Sequence, residues 1–334
     1  MKPLNKIAAG AALVSALVAL PIAACYTAPL QTAAGITQLQ RYLSGASYQQ
    51  VSLASGVSMA YLDSDSSATA DKPVLLLLHG ITSSKDIWLE ILQNFPSYRV
   101  IAVDMPGHGD SREPQDFDYA VENLSAQLAA FIQQLELPPV HLVGNSLGGL
   151  VAGLYTAEHP KQVQSLVLMN SAGIDPPQKS MLMQKALTDR SYNPLLVQSP
   201  EDLSPKLAAV LARPPQLPPP IKQLMSAREL SRLKANSQLF AAVLDDESNL
   251  NKLEALLPKF AVPTLLLWGD RDQIFHFSAV SKARRLAPAL RSHIIPDCGH
   301  LPMLEATAET AAVLQQFFAD IAPKGQRAAL LTGV

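Results

Sequence analysis

The fold of this chain follows from Val140-His141-Leu142-Val143-Gly144-Asn145-Ser146-Leu147-Gly148. A β-prone run precedes the glycine, and Leu150–Glu158 contains no proline and predicts a helix. Ser146 then lies at a sharp strand-to-helix turn, from which a serine Oγ can project as a nucleophile. Gly144 and Gly148 suit that turn because it leaves no room for β-carbons. The pattern predicts a parallel α/β sheet with Ser146 as nucleophile; the alternative is a glycine-rich turn with an incidental serine.

A base and an acid would follow the serine in the chain, on loops at the carboxyl ends of later strands. Thr264–Trp268 is a predicted strand that leads into Gly269-Asp270-Arg271-Asp272. A second predicted strand, Arg291–Ile295, leads into Pro296-Asp297-Cys298-Gly299-His300. Because the carboxyl ends of parallel strands meet at one edge of a sheet, both loops can converge on Ser146.

The predicted base is His300, because a glycine precedes it and an apolar helix start follows it. It would take the Ser146 proton while a carboxylate holds the imidazole in the required tautomer. Spacing alone leaves both Asp270 and Asp272 open as that acid, and each partner could instead be a surface residue. Three further histidines occupy loops and are weaker candidates for the base: His79, His108 and His276.

An oxyanion formed at Ser146 would be bound by two backbone N–H groups. One donor is Leu147, the residue after the nucleophile. The other is expected after an early strand, here Val74–Leu78, whose unbroken apolar run is typical of a strand buried on both faces. The loop begins His79-Gly80-Ile81, and Ile81 is the predicted second donor. The alternative is that His79-Gly80 forms a tight turn only.

Five motifs together resemble the α/β-hydrolase superfamily, and they occur in its order between residues 79 and 300. They are His79-Gly80, Asp104-Met105-Pro106-Gly107-His108-Gly109-Asp110-Ser111, Gly144-Asn145-Ser146-Leu147-Gly148-Gly149, Trp268-Gly269-Asp270-Arg271-Asp272 and Gly299-His300. The resemblance implies the α/β-hydrolase fold, with a mostly parallel, doubly wound sheet and an inserted helical cap. It also implies a Ser–His–Asp triad.

Within the superfamily the chain is most similar to the bacterial lipase and monoacylglycerol lipase branch. The similarity rests on Gly144-Asn145-Ser146, on Arg213-Pro214-Pro215-Gln216-Leu217-Pro218 and on Asp272-Gln273-Ile274. In that branch the aspartate before Gln-Ile is the triad acid, so the resemblance favours Asp272. The chain departs from the branch at Ile81-Thr82-Ser83-Ser84, where phenylalanine and glycines are usual; a backbone N–H at Ile81 survives this change.

The order of predicted elements indicates one large domain with an insertion. Strands alternate with helices over residues 49–172 and 261–323, the predicted hydrolase core, and residues 25–48 form a tail with a short helix. Between residues 173 and 260 the alternation stops, where the superfamily inserts its cap. The cap would exclude water and supply an acyl pocket. Candidates for that pocket, each of which could instead belong to the core of the cap, are Met181, Met183, Leu195, Leu196, Leu224, Met225, Leu239 and Phe240.

Residues 1–24 predict an export signal of the lipoprotein type. Two lysines precede the apolar run Ile7–Leu20, which is too short for a confident membrane span. Leu20-Pro21-Ile22-Ala23-Ala24-Cys25 resembles the bacterial lipobox, in which the cysteine becomes the lipidated N-terminus; ordinary cleavage nearby is the alternative. Because Tyr26 is not an inner-membrane retention aspartate, we expect an outer-membrane lipoprotein anchored at Cys25, or otherwise a periplasmic or secreted protein.

Charge and cysteine content indicate which binding partners and which disulfide the chain can have. The chain has 26 Lys+Arg and 28 Asp+Glu. Loss of the two signal lysines leaves 24 against 28, which disfavours nucleic acid because that partner requires a basic stripe. No set of Cys, His and acidic residues has the spacing of a metal site, so we expect neither a metal nor a cofactor. We also expect a monomer. If Cys25 is lipidated, Cys298 is a free thiol; a bridge between them is the alternative.

These features predict a serine-dependent carboxylic ester hydrolase, a lipase that acts on acylglycerols through an acyl-enzyme intermediate. Two alternatives stay open. One is a C–C bond hydrolase of the meta-cleavage product type on the same scaffold, which the export signal disfavours because such substrates are cytoplasmic. The other is a non-catalytic lipid-sensing module, which the complete set of Ser, His and Asp candidates disfavours.

Overall fold

Eight strands form a single sheet in the computed structural model, which describes residues 21–66, 72–189 and 192–322. Numbered along the chain, they are β1 (Ser47–Ser52), β2 (Ser58–Asp63), β3 (Val74–Leu78), β4 (Arg99–Val103), β5 (Val140–Asn145), β6 (Val163–Met169), β7 (Thr264–Gly269) and β8 (Arg291–Ile295). The spatial order is β1-β2-β4-β3-β5-β6-β7-β8. The expected α/β-hydrolase fold class is confirmed.

The strands from β3 to β8 are parallel, whereas β1 and β2 form an antiparallel hairpin that pairs with β4. The hairpin turns at Ser55-Gly56, where Gly56 has a φ of 83°. Because β3, β5, β6, β7 and β8 run in the same direction, the loops that follow them emerge at one edge of the sheet. That edge receives every residue of the predicted triad.

Helices surround the sheet, and the α-helices from Pro29 onward are numbered along the chain. They are α1 (Pro29–Ser44), α2 (Leu89–Leu92), α3 (Val121–Gln134), α4 (Leu147–Glu158), α5 (Met181–Thr188), α6 (Leu203–Val210), α7 (Pro219–Ser231), α8 (Leu233–Asp245), α9 (Ser278–Leu286), α10 (Pro302–Glu305) and α11 (Thr307–Ile321). Between β6 and β7 the described residues contain helices and no strand, in agreement with the break in alternation.

Two apolar clusters lie on opposite faces of the sheet. On β5, Leu142 packs with α3, α4 and α9, and its neighbour Val143 packs with α2 and α11 on the other face. Side chains alternate between faces along a strand, so a strand covered on both faces needs an unbroken apolar run. The all-leucine end of β3 follows the same rule, and both strands are fully buried.

The N-terminal helix α1 packs against α7 of the inserted segment. Its only charged side chain, Arg41, donates to both carboxylate oxygens of Asp86, at 2.6 and 2.8 Å, and to Asp110 at 2.8 Å. A second arginine, Arg232 at the start of α8, donates to the carbonyl oxygen of Gly109 at 2.9 Å. These bonds hold α1 and the inserted helices onto the sheet edge.

The predicted export signal lies mostly outside the described residues, since its first 20 positions are not among them. Residues 21–27 are helical and precede α1. Within the described ranges no helix has the length and apolar content needed to cross a bilayer.

Candidate active site

Ser146 occupies a strained turn between β5 and α4. Its φ of 56° and ψ of −119° lie in a region that L-residues rarely adopt. A β-carbon at Gly144 would lie 2.2 Å from the carbonyl oxygen of Gly148, so the strand and helix can approach this closely only without side chains. Helix α4 begins at Leu147, earlier than the helix predicted from Leu150. The added residues include Gly148 and Gly149, which have low helix propensity, and the close contact between Gly144 and Gly148 explains why glycine is needed there.

His300 and Asp272 form a hydrogen-bonded pair at the same edge. The Nδ1–H of His300 donates to Oδ2 of Asp272 at 2.9 Å, and both side chains are buried. Oδ1 of Asp272 accepts the backbone N–H groups of Ile274 at 2.7 Å and Phe275 at 3.0 Å. With both oxygens held, the carboxylate orients the imidazole so that Nε2 is left as the acceptor of a proton.

The structure distinguishes the candidates that spacing left open. The carboxylate of Asp270 lies 3.8 Å from the guanidinium of its neighbour Arg271, whereas Asp272 bonds to His300. His276 uses Nδ1 to accept the backbone N–H of Ser278, as a turn residue would. The sequence therefore provides two aspartates, and the loop geometry brings Asp272 to the histidine.

Two asparagines connect the loops that carry the three predicted residues. The Nδ2 of Asn145 donates to the carbonyl oxygens of Met169, at 3.2 Å, and His300, at 3.1 Å. The Nδ2 of Asn170 donates to Oδ2 of Asp272 at 2.7 Å, beside the histidine bond. Sequence analysis placed Asn145 in the elbow but missed Asn170. Its position directly after β6, at the edge where the site lies, was the available signal.

The loop after β3 closes over the elbow. A β-carbon at Gly80 would lie 3.0 Å from Cβ of Ser146, so the backbone that leads into Ile81 passes directly over the serine. Leu147 is the first residue of α4, and its N–H is therefore one of the four at a helix start that lack an intrahelical acceptor. Leu147 thus adjoins Ser146 in the chain, and the residue before Ile81 packs against the serine.

His79 stabilises this loop and is not placed to act as the base. Its Nδ1–H donates to the carbonyl oxygen of Gly80 at 2.7 Å, and its Nε2 accepts the backbone N–H of Met105 at 3.1 Å. Complete burial lowers the pKa of His79 to about 4, and burial likewise lowers the pKa of the adjacent His108 to about 3. A neutral imidazole at pH 7 suits these two bonds, because one nitrogen must donate and the other accept.

A cavity of about 550 Å³ lies between the inserted segment and the loops that carry Asp272 and His300. Its lining residues are Leu182, Tyr192, Pro205, Ala208, Ala209, Leu211, Ala212, Arg213, Arg271, Gln273 and Asp297. None of the eight predicted acyl-pocket residues lines it. Met181 is 83% exposed, whereas Leu224, Leu239 and Phe240 are buried within the protein.

The described residues contain no group of three or more His, Cys, Asp or Glu side chains that could hold a metal ion. Cys25 and Cys298 are both free and buried, so the alternative of a bridge between them is wrong for this structure. Burial raises the pKa of the Cys298 thiol to about 12. Cys298 therefore behaves as a small apolar side chain beneath the histidine loop.

Residues 73–307 match the sequence profile of the α/β hydrolase fold. The chain belongs to that family. It is 32% identical to Lipase 1 of Psychrobacter immobilis, over 89% of this chain and 93% of that protein. It is 29% identical to a monoacylglycerol lipase of Homo sapiens, over 75% of this chain and 76% of that protein.

The fold of a membrane phospholipase A, described as a bacterial virulence factor, is similar to this structure with a TM-score of 0.81. The two are 36% identical, and the match covers 95% of this chain and 99% of that one. The resemblance to the lipase and monoacylglycerol lipase branch, based above on the elbow, cap and acid-loop motifs, is confirmed by these relatives.

Proposed function

We propose that this α/β hydrolase is a serine-dependent carboxylic ester hydrolase of the lipase type, with Ser146, His300 and Asp272 as its triad. The observation that carries the proposal is the buried His300–Asp272 pair, whose loop is bonded to the nucleophile turn through Asn145. The lipase names of its relatives favour a lipid ester as substrate.

The first half of the reaction transfers the acyl group to Ser146. Nε2 of His300 takes the hydroxyl proton as Oγ attacks the ester carbonyl, and Asp272 stabilises the imidazolium that forms. The carbonyl oxygen becomes an oxyanion, which accepts the backbone N–H groups of Ile81 and Leu147. When the C–O bond breaks, His300 gives its proton to the departing alcohol.

The second half returns the enzyme to its starting state. A water molecule gives a proton to Nε2 of His300 and attacks the acyl-enzyme carbonyl, and the same two N–H groups bind the second oxyanion. The proton then passes to Oγ of Ser146 as the fatty acid leaves. Every proton in these steps moves between Nε2 of His300 and an oxygen of Ser146, of the alcohol or of water, so the scheme uses no cofactor.

We propose that residues 173–260 are the cap and bind the acyl chain. The position of the segment supports this role, because the backbone N–H of His300 donates to the carbonyl oxygen of Val210 at 2.9 Å. The approximately 550 Å³ cavity lies beside this contact, and its lining includes neither Ser146 nor His300. Three charged side chains lie at its wall: Arg213, Arg271 and Asp297.

The chain-length dependence of ester hydrolysis tests the proposal. We expect activity on p-nitrophenyl esters from C2 to C16 that persists at long chains, and release of fatty acid from monoacylglycerol. Triacylglycerol and phosphatidylcholine, assayed in parallel, separate the lipid classes. Activity confined to C2–C4 would contradict a lipase and indicate a small-ester hydrolase. Absence of any ester hydrolysis would favour the C–C bond hydrolase or the lipid-sensing module.

We further propose that the protein is exported and held at a membrane by a lipid on Cys25. The side chains of α1 support a membrane-adjacent position, because five large apolar or aromatic groups are exposed on a helix whose single charge is paired inward. They are Leu30, Ile36, Leu39, Tyr42 and Leu43. Stable anchoring generally needs more than one acyl chain, and the lipid group of a bacterial lipoprotein provides several.

Cys25→Ser tests the anchor. In bacteria that express the full chain, we expect the protein to move from the membrane fraction to the soluble fraction and to lose incorporation of an alkyne-labelled fatty acid. Cys298→Ser is the matched control, since it removes the other thiol and leaves the proposed anchor. Unchanged fractionation and labelling of the Cys25 variant would contradict lipidation at this residue.

A further inference from the structure

A network of three hydrogen bonds, two of which end on Glu305, connects residues 210–212 of the proposed cap with the loop that carries His300. The backbone N–H of His300 donates to the carbonyl oxygen of Val210 at 2.9 Å. The other two bonds end on one carboxylate. Gly299 N–H donates to Oε1 of Glu305 at 2.9 Å, and Ala212 N–H donates to Oε2 of Glu305 at 2.6 Å. Glu305 therefore bridges two chain segments that are almost 90 residues apart in the sequence.

The two segments are in close contact at this point. A β-carbon at Gly299 would lie 2.6 Å from the backbone nitrogen of Ala212 and 2.9 Å from the carbonyl oxygen of Val210. Glycine is thus required for the cap segment to approach the residue before His300. A side chain here would push the cap segment and the histidine loop apart.

Glu305 is itself held firmly by the core. It ends α10, where Pro302 and Met303 are buried, and its backbone N–H donates to the carbonyl oxygen of Leu301 at 3.0 Å. Partial burial raises the pKa of Glu305, although its bonds to backbone N–H groups oppose that shift. A carboxylate that accepts from two segments is well suited to hold both, because each oxygen has its own donor.

We propose that Glu305 is a positioning residue that couples the cap to the catalytic base. Its carboxylate fixes the Gly299-His300 backbone and, through Ala212, the cap wall of the approximately 550 Å³ cavity. Because both segments are bonded to one carboxylate, a displacement of residues 210–212 is expected to displace the His300 backbone as well. The inference rests on the proposed function, since it assigns the roles of base to His300 and of cap to residues 173–260.

The test compares Glu305→Ala and Glu305→Gln with Glu309→Gln in the full chain. Glu309 is a suitable control because its carboxylate lies at the surface, 3.1 Å from Nε2 of His293. We expect Glu305→Ala to lower kcat by about 10- to 100-fold, because small displacements of a catalytic group have effects of this size. Glu305→Gln keeps one acceptor oxygen and should lose less. Glu309→Gln should retain kcat within about 2-fold, as surface changes usually do.

Hydrogen exchange provides a readout that does not depend on activity. In Glu305→Ala, we expect faster exchange in residues 210–213 and 298–301 together, with the rest of the chain and the melting temperature little changed. Faster exchange in one segment only, or a kcat within about 2-fold of wild type, would overturn the coupling. If Glu305→Ala does not fold, Glu305→Gln decides between these outcomes. If the wild type hydrolyses no ester, the proposed function fails, while joint exchange still identifies the bridge.

Discussion

Ser146→Ala is expected to lower kcat for ester hydrolysis by about 10⁵- to 10⁶-fold, the scale of loss when a triad serine is removed. The substitution deletes the only atom that bonds to the acyl group, while the backbone keeps its position because Ser146 N–H donates to Met169 at 3.0 Å. Alanine has the same backbone restrictions as serine at a φ of 56°, so the turn carries no additional strain.

Hydrolysis of p-nitrophenyl butyrate and labelling by a fluorophosphonate probe measure the Ser146→Ala effect, and circular dichroism checks the fold. Ser165→Ala is a matched control, because it also removes a buried hydroxyl. Ser165 lies on β6, next to β5, and its Oγ is 2.8 Å from Nδ1 of His141 on β5. It should leave labelling intact. Turnover by Ser146→Ala within about 100-fold of wild type would refute the proposed nucleophile. Substrate binding and oxyanion contacts alone give a residual rate that is much lower than this.

Asp272→Asn is expected to lower kcat by about 10⁴-fold, the loss that accompanies a wrong histidine tautomer. We expect the amide oxygen at the Oδ1 position, because the donors there are the backbone N–H groups of Ile274 and Phe275, which cannot become acceptors. The donors to Oδ2 are side chains that can present an acceptor instead, since the Asn170 amide can rotate and the His300 imidazole can change tautomer. The amide NH₂ then faces Nδ1 of His300. To accept from it, the imidazole must carry its proton on Nε2, where it can no longer take the serine proton.

Asp270→Asn is the natural comparison for Asp272→Asn, since both aspartates lie in the loop that follows β7. The carboxylate of Asp270 has Arg271 as its neighbour. We expect kcat of Asp270→Asn within a few-fold of wild type, in steady-state assays at pH 7 and 9. Asp270→Asn having the larger loss would show that the acid is assigned to the wrong residue. Equal small losses in both variants would contradict a carboxylate-dependent mechanism.

The core of the fold was predictable because local sequence expresses it directly. A strand buried on both faces is mostly apolar, and the runs at β3 and β7 are so uniform that burial was the simplest explanation. Strand β5 departs from this rule at His141 and Asn145, whose side chains form hydrogen bonds. The elbow was predictable for a related reason. A β-carbon at Gly144 would lie 2.2 Å from the carbonyl oxygen of Gly148, so the turn requires glycine and the sequence shows it.

Residues that act across long separations were harder to find. Asn170 and Glu305 have no local pattern, since each is defined by a partner about 100 residues away: Asp272 for Asn170 and Ala212 for Glu305. The side chains of the inserted segment were hard to assign for the same reason, since local sequence does not show what they contact. A helix rich in leucine and methionine can turn its apolar face toward a pocket or toward its own core, and Met181 turned out to face solvent.

The sequence by itself determined the sheet, the order of its strands along the chain and the residue types at the ends of β3, β5, β7 and β8, because backbone sterics and apolar burial act within a few residues. Only the tertiary structure decided that Asp272 rather than Asp270 meets His300, that Asn145 and Asn170 connect the loops, and that Glu305 bonds to both Ala212 and Gly299. Those outcomes depend on hydrogen bonds of about 3 Å between distant segments, and such distances exist only after the sheet has brought the segments to one edge.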